Sequence, residues 1–180
     1  MKKQGFTLLI ILVLAAMYLT GCTNEQSPQN QLNNLDYSNT DYGFGLNPPE
    51  GWVKDESNPD IIVGFSGPLI ENFTINMVIT AGKLDTGKTL YTTVNELIEL
   101  YPTYFSDFLL IARENRTINN LNSYQFIYSY VLEDIPIKQK QVLIEKDDKA
   151  IILTLSATPN SFDTYKEVFE ESIQSVKISW

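Results

Sequence analysis

The chain has 180 residues, 43% hydrophobic and 12% aromatic, with 22 acids against 13 bases and a net charge of −9. This is enough apolar material for one domain with a core, and the excess of acid argues against nucleic acid, which is gripped through basic contacts to phosphate. Histidine is absent and Cys22 is the only cysteine, which excludes an intramolecular disulfide, Ser-His and Cys-His nucleophile systems and the commonest zinc ligand.

In chain order, Lys2 and Lys3 precede the apolar run Phe6–Tyr18. Two bases followed by an apolar stretch too short to span a bilayer has the form of a secretory signal peptide, here residues 1–21. Its end, Leu19-Thr20-Gly21-Cys22, resembles the lipobox of prokaryotic lipoproteins. The resemblance implies that the Cys22 thiol accepts a diacylglyceryl group and that a peptidase then cuts before it; the alternative is an unmodified thiol on an uncleaved anchor. Two or more acyl chains on Cys22 would hold the protein stably on the extracytoplasmic side of the membrane. Residues 22–40 are polar and rich in Asn and Gln, and read as a flexible tether with an end-to-end distance of roughly 20–25 Å. The folded domain is expected over residues 41–180.

Within it, Tyr42–Asn47 reads as a short strand ended by Pro48-Pro49-Glu50-Gly51, and Trp52-Val53 opens the next. Ile61–Ser66 and Phe73–Ala81 follow as strands. Thr89–Phe105 has Val94, Leu97, Ile98 and Tyr101 at helical spacing, with Pro102 placed to bend or end the helix. Phe108–Ile118 is a further strand. Leu121–Pro159 then reads as a three-strand meander. Tyr124, Phe126, Tyr128 and Tyr130 alternate onto one face of its first strand. In the second strand Lys138 and Lys140 share a face with Val142 and Ile144. The third, Ala150–Ala157, is apolar at nearly every position, as a strand covered on both faces must be. Glu133-Asp134 and Asp147-Asp148 supply turn residues. Ser161–Val176 reads as a closing amphipathic helix with the stripe Phe162, Tyr165, Phe169, Ile173 and Val176, and with Glu170 and Glu171 on its solvated side. The fold class is α+β, an antiparallel sheet with the closing helix on one face and the Thr89–Phe105 helix on the other.

Few motifs carry chemistry. Gly82–Thr89 matches the Walker A pattern G-x-x-x-x-G-K-[ST]. In a P-loop, Lys88 would reach the β- and γ-phosphates and Thr89 a magnesium ion. The leader exports the domain away from nucleotide, and the strands that follow form hairpins rather than the crossovers of a parallel nucleotide-binding sheet, so Gly82 and Gly87 read as loop glycines. Asp147-Asp148 is explained by a tight turn, and no calcium-loop spacing of acids occurs. No pair of acids is singled out for acid/base work, and there is no G-x-S-x-G or S-x-x-K. The aromatic row Tyr124–Tyr130 reads as core, to be covered by the closing helix, rather than as a stacking platform. Asn72-Phe73-Thr74 and Asn115-Arg116-Thr117 are N-glycosylation sequons, relevant where the host glycosylates exported proteins.

Tyr42–Trp52 (YGFGLNPPEGW) resembles the opening of PsbP-family domains, a Gly-Phe strand followed by Pro and then Trp. Asn76–Thr80 is similar to the next family strand. Arg116–Tyr130, with its turn at Asn119-Asn120, resembles the family hairpin into an aromatic strand, and Lys138–Ile178 resembles the closing block. The resemblance implies the Mog1/PsbP-like fold, an α/β/α sandwich, over residues 41–180. Plant members are extrinsic subunits that help photosystem II retain calcium and chloride, and many prokaryotic relatives are exported lipoproteins. The histidines through which some members bind metal have no counterpart here, so no metal, cofactor or catalytic residue carries over. The expected function is that of a membrane-anchored extracytoplasmic accessory or assembly factor, not an enzyme, acting on a protein of the envelope or membrane. The alternative is a carrier holding a small ligand between sheet and helix.

Overall fold

A computed structural model of the protein describes residue 32 and residues 34–179. The expected signal peptide, Cys22 and most of the expected tether lie outside the described residues. Three short strands come first: β1 (Tyr37–Asn39), β2 (Phe44–Leu46) and β3 (Val53–Asp55). Strands β4 (Val63–Ile70) and β5 (Phe73–Lys83) form a hairpin, and helix α1 (Leu90–Leu100) runs into a 3-10 turn at Tyr101–Thr103. The meander follows as β6 (Ser106–Ile118), β7 (Leu121–Leu132), β8 (Ile135–Lys146) and β9 (Lys149–Ala157). A one-turn helix α2 (Pro159–Phe162), helix α3 (Lys166–Ser175) and the short strand β10 (Lys177–Ile178) complete the chain.

The main sheet has seven strands in the order β3-β4-β5-β9-β8-β7-β6, and β1, β2 and β10 form a second sheet with β2 in the middle. All the pairings are antiparallel. Strand β9 lies between β5 and β8, so its apolar run is buried on both faces. Three two-residue loops, Glu71-Asn72, Asn119-Asn120 and Glu133-Asp134, place both residues at φ between 48° and 67°. That mirror-image turn geometry matches the right-handed twist of the strands it joins. Asn119 does more than turn the chain. Its side-chain amide donates to the carbonyls of Gln174 (2.9 Å) and Val176 (2.7 Å), which satisfies acceptors left open where α3 ends.

Each face of the sheet carries its own core. On one face Phe162, Phe169, Ile173 and Val176 pack on Ile75, Met77, Ile79, Val142, Ile144, Ile151, Leu153 and Leu155. Each fully buried side chain of this kind contributes about 1.5–3 kcal/mol. On the other face Leu90, Val94, Leu97 and Tyr101 cover Tyr124, Phe126, Tyr128 and Tyr130. The aromatic row is therefore core, but its lid is α1, not the closing helix. The register explains this: Tyr124 lies opposite Leu143 and Phe126 opposite Gln141, whose side chains alternate away from the Val142 and Ile144 that α3 covers.

Three boundaries differ from the sequence reading. The folded domain includes residues before Asp41. β1 falls within the expected tether, and the Tyr37 ring is buried against Phe44 and Phe65 at 5.9 and 5.6 Å between centroids. Gly45 makes this possible, because a Cβ there would lie 2.8 Å from the Tyr37 carbonyl and 2.9 Å from Leu35. The closing helix is not continuous from Ser161 to Val176 but breaks over Asp163–Tyr165, where Asp and Thr are poor helix formers and Tyr165 has ψ near 1°. The middle helix stops at Leu100, and Pro102 sits in the 3-10 turn. Its start is firm: the Thr89 hydroxyl accepts from the Thr92 amide (3.2 Å) while the Thr92 hydroxyl accepts from the Thr89 amide (2.9 Å).

Candidate functional site

Alternation aims Arg116 of β6, Gln125 and Ile127 of β7, and Lys138 and Lys140 of β8 toward the α2–α3 side. Helix α3 does not reach across the outer strands, so these side chains floor a groove of about 760 Å³ walled by Phe162, Asp163, Lys166 and Glu167. At its inner end stands Glu170. Its carboxylate accepts from Lys140 Nζ (2.9 Å), from both terminal nitrogens of Arg116, and from Gln174 Nε2 (2.9 Å). The Arg116 guanidinium, with Gln174 and Lys140 behind it, pulls the Glu170 carboxyl down to a pKa of about 2 against the opposing effect of burial. The same Arg116 also donates to Gln125. Lys140 is only 6% exposed, so its ammonium depends on this partner. Glu170 is thus the centre of an ion cluster rather than part of a solvated helix face, whereas Glu171 is exposed as expected. Nearby, Lys138 Nζ lies 4.5 Å from the centre of the Phe162 ring and 3.2 Å from Asp163.

Along the groove's outer side runs β6, which borders the sheet and, among the described residues, pairs only with β7. Two irregularities, between Ser106 and Leu109 and between Leu110 and Ala112, twist its first half, a device that protects free strand edges. Leu109 and Ile111 in that half are 61% and 48% exposed.

A second cleft, of about 870 Å³, opens where the Pro48–Val53 loop meets α3 and the Ser66–Pro68 stretch of β4. Trp52 sits between Gly67 and α3. A Cβ on Gly67 would come within 2.6 Å of the indole, so only glycine lets the ring lie flat there. The Phe169 ring meets the indole edge-on at 6.1 Å and the Tyr165 ring lies 6.4 Å away.

The opposite face is built differently, with aromatic side chains covered by α1. Two short polar chains cross its core. Tyr101 donates to Gln141 (2.7 Å), which donates to Thr154 (3.2 Å); Tyr128 donates to Gln139, which donates to Ser156 (2.8 Å). Burial pushes the Tyr101 and Tyr128 hydroxyls well above the usual tyrosine pKa and Tyr130 to about 12, so all three stay neutral.

The remaining candidates are placed as follows. Gly82 and Lys83 lie inside β5, paired with Ala150 and Lys149 of the antiparallel β9. Lys88 bonds Glu96 and lies 3.2 Å from Asp85, and the Thr89 hydroxyl caps α1. The groups that a P-loop would aim at phosphate and magnesium are thus engaged within the protein. Asp148 pairs with Lys83 at 2.9 Å. No group of three or more His, Cys, Asp or Glu gathers among the described residues. Asn72 is exposed in the β4–β5 loop and Asn115 is exposed on β6. No helix among the described residues is long and apolar enough to cross a membrane.

A seven-strand antiparallel sheet with one helical layer on each face defines the Mog1/PsbP-like class of α+β protein. Within it, the chain belongs to the DcrB family, whose model matches residues 45–175. It is similar to the cyanobacterial PsbP (CyanoP) of Synechocystis, with a TM-score of 0.61 and 22% identity over 79% of this chain and 90% of that one. It is also similar to LpqN of Mycobacterium tuberculosis, described as involved in cell envelope biogenesis, with a TM-score of 0.55 and 15% identity over 76% and 83% of the two chains. A third likeness is to the Ran-binding protein Mog1p of Saccharomyces cerevisiae, with a TM-score of 0.50 and 11% identity over 76% and 90%. At these identities the likeness is one of fold. No curated protein sequence matches the chain.

Proposed function

We propose that the protein is a lipid-anchored, extracytoplasmic accessory factor that docks onto an envelope or membrane protein through the α3-side groove and the adjoining half of β6. The observation that carries this reading is the unfinished cover of the sheet: α3 leaves the outer strands open, with a charged floor beside exposed Leu109 and Ile111. Charged rims beside apolar side chains suit a protein surface. Glu170 is held ionised by donors from three residues and has little basicity to give a substrate, which counts against its use as a general base. The lipobox at Cys22 supports the membrane tether, and the description of LpqN as involved in cell envelope biogenesis supports the setting. A groove open along β6 fits a protein segment better than the enclosed small ligand of the carrier reading.

A photocrosslinking residue at Leu109 tests this in intact cells against one at Tyr91, which is exposed on the other face. Discrete adducts at 109 and none at 91 are expected; equal labelling at both positions overturns the assignment. For the anchor, mass spectrometry of the native N-terminus is expected to find acylated Cys22, and an intact Met1 would remove it.

A further inference from the structure

The second cleft is separate from the groove, and its chemistry is different. Its apolar lining is rigid and aromatic. Trp52 is pinned between Gly67 and Phe169, Tyr165 stands beside it, and Pro49 and Pro68 flank the pair. Val53, which also lines the cleft, is 68% exposed, a large solvent-facing apolar surface for a valine. Among the described residues the indole N–H of Trp52 has no hydrogen-bond partner, and it is not sealed from solvent. The charged side chains of the lining are Glu50 and Glu171, with no base. In the groove, by contrast, both signs alternate.

We propose that this cleft binds a proline-containing extended segment of a partner protein that carries a basic residue beside its prolines. A polyproline II segment makes no internal hydrogen bonds, so its carbonyls remain acceptors, and the unpaired indole N–H is a donor placed for one of them. Its rings are preformed apolar wedges that lose little entropy on docking against aromatic faces. The acidic lining supplies complementarity for an arginine or lysine at the end of the proline run and disfavours acidic segments. The proposal does not rest on the groove: loss of a partner from β6 leaves occupancy of this cleft unchanged.

The test uses the full-length protein, 15N-labelled and in detergent, with the Trp52 indole signal identified by means of Trp180→Phe. The probe is a blocked peptide of six prolines between two arginines. A saturable shift of the Trp52 indole signal is expected. The same peptide with glycine and serine in place of proline should bind at least about ten-fold more weakly. Glu171→Gln, on the exposed side of α3, should weaken the proline peptide by about two- to five-fold, the range of an exposed ion pair. Val53→Lys, at a position too exposed to disturb the core, should weaken it further by adding a like charge. Gly67→Ala should abolish the shift by displacing the indole, and the exposed variants keep the test valid if this one fails to fold. Three results would overturn the proposal: no shift at millimolar peptide, equal binding of the glycine-serine peptide, or a shift given by chitotetraose and not by the proline peptide, which would make the cleft a sugar site.

Discussion

The two faces of the sheet are built to different plans. The α1 face is aromatic, and its buried polar atoms are neutral, with Tyr–Gln–Thr and Tyr–Gln–Ser chains running across three elements. The α3 face is aliphatic at its centre and ionic at its margin, and it stays open beside the first half of that helix. The tyrosine and glutamine groups of the α1 face are spent within the core, and of its described buried side chains the Thr93 hydroxyl lacks a partner. The α3 margin instead presents charges beside exposed leucine and isoleucine.

The largest effect that can break this comparison is at the centre of the α3 face. Phe169→Ala empties a fully buried site against Trp52, Phe162 and the sheet and should cost about 3–5 kcal/mol in a denaturant melt. Next is Glu170→Ala. It leaves Lys140 buried without its carboxylate, and because Glu170 is partly open to solvent the loss should be about 2–3 kcal/mol rather than the larger cost of a fully buried pair. Lys140→Met together with Glu170→Leu should recover most of it, and failure to recover would mean that the cluster holds more than its own charges. On the other face Tyr101→Phe removes one hydroxyl from a neutral chain and should cost about 1 kcal/mol. A loss as large as that of Glu170→Ala would erase the distinction between the faces.

Acid and alkali sharpen the same contrast. Glu170 titrates at about 2 in the folded protein, below the ordinary glutamate value near 4.5. Its contribution is complete above that ordinary value and is lost as pH falls from about 4.5 toward 2. The tyrosines behave oppositely. Their folded values lie above 10, with Tyr130 at about 12, so stability is complete below pH 10 and is lost as pH climbs through the folded values. Acid melts should be flattened by Glu170→Gln and not by Tyr130→Phe, and alkaline melts the reverse. The smallest expected effect is local. Glu133 holds a left-handed conformation at φ 48°, which Asn adopts more readily, so Glu133→Asn should raise stability by up to about 1 kcal/mol without touching either face.

Much of this architecture was legible because it is periodic. The alternation of Tyr124 to Tyr130, the unbroken apolar run of β9 and the three-and-four spacing around Phe169 each match the element found. The ion cluster was half legible. Lys138 and Lys140 share a face with Val142 and Ile144, and a lysine on an apolar face calls for a carboxylate. Its partner was obscured because Glu170 lies between the buried stripe and the wet side of α3, three residues before Ile173. The Trp52 cleft was not legible at all. It needs a proline loop, a helix break and a bare glycine on β4, joined only by tertiary packing. The start of the domain was missed because Leu32 and Tyr37, which are buried, stand among polar residues whose composition resembles a tether.

The small sheet sets a rule for when the domain can close. Strand β2 is held on one side by β1 and on the other by β10, and Gly45 faces both Ser38 and Lys177. Strands β1 and β10 therefore lie two strand spacings apart, about 10 Å. A chain that emerges N-terminus first, whether from a ribosome or through a membrane, carries β2 out long before β10. Until β10 arrives one edge of β2 is unpaired, and the α3 core, which Val176 and Ile178 help to complete, lacks those side chains. Closure of the domain is thereby coupled to the arrival of β10: a polypeptide arrested or cut short of Lys177 presents an unfinished sheet with an open edge, a feature that distinguishes it from the closed domain.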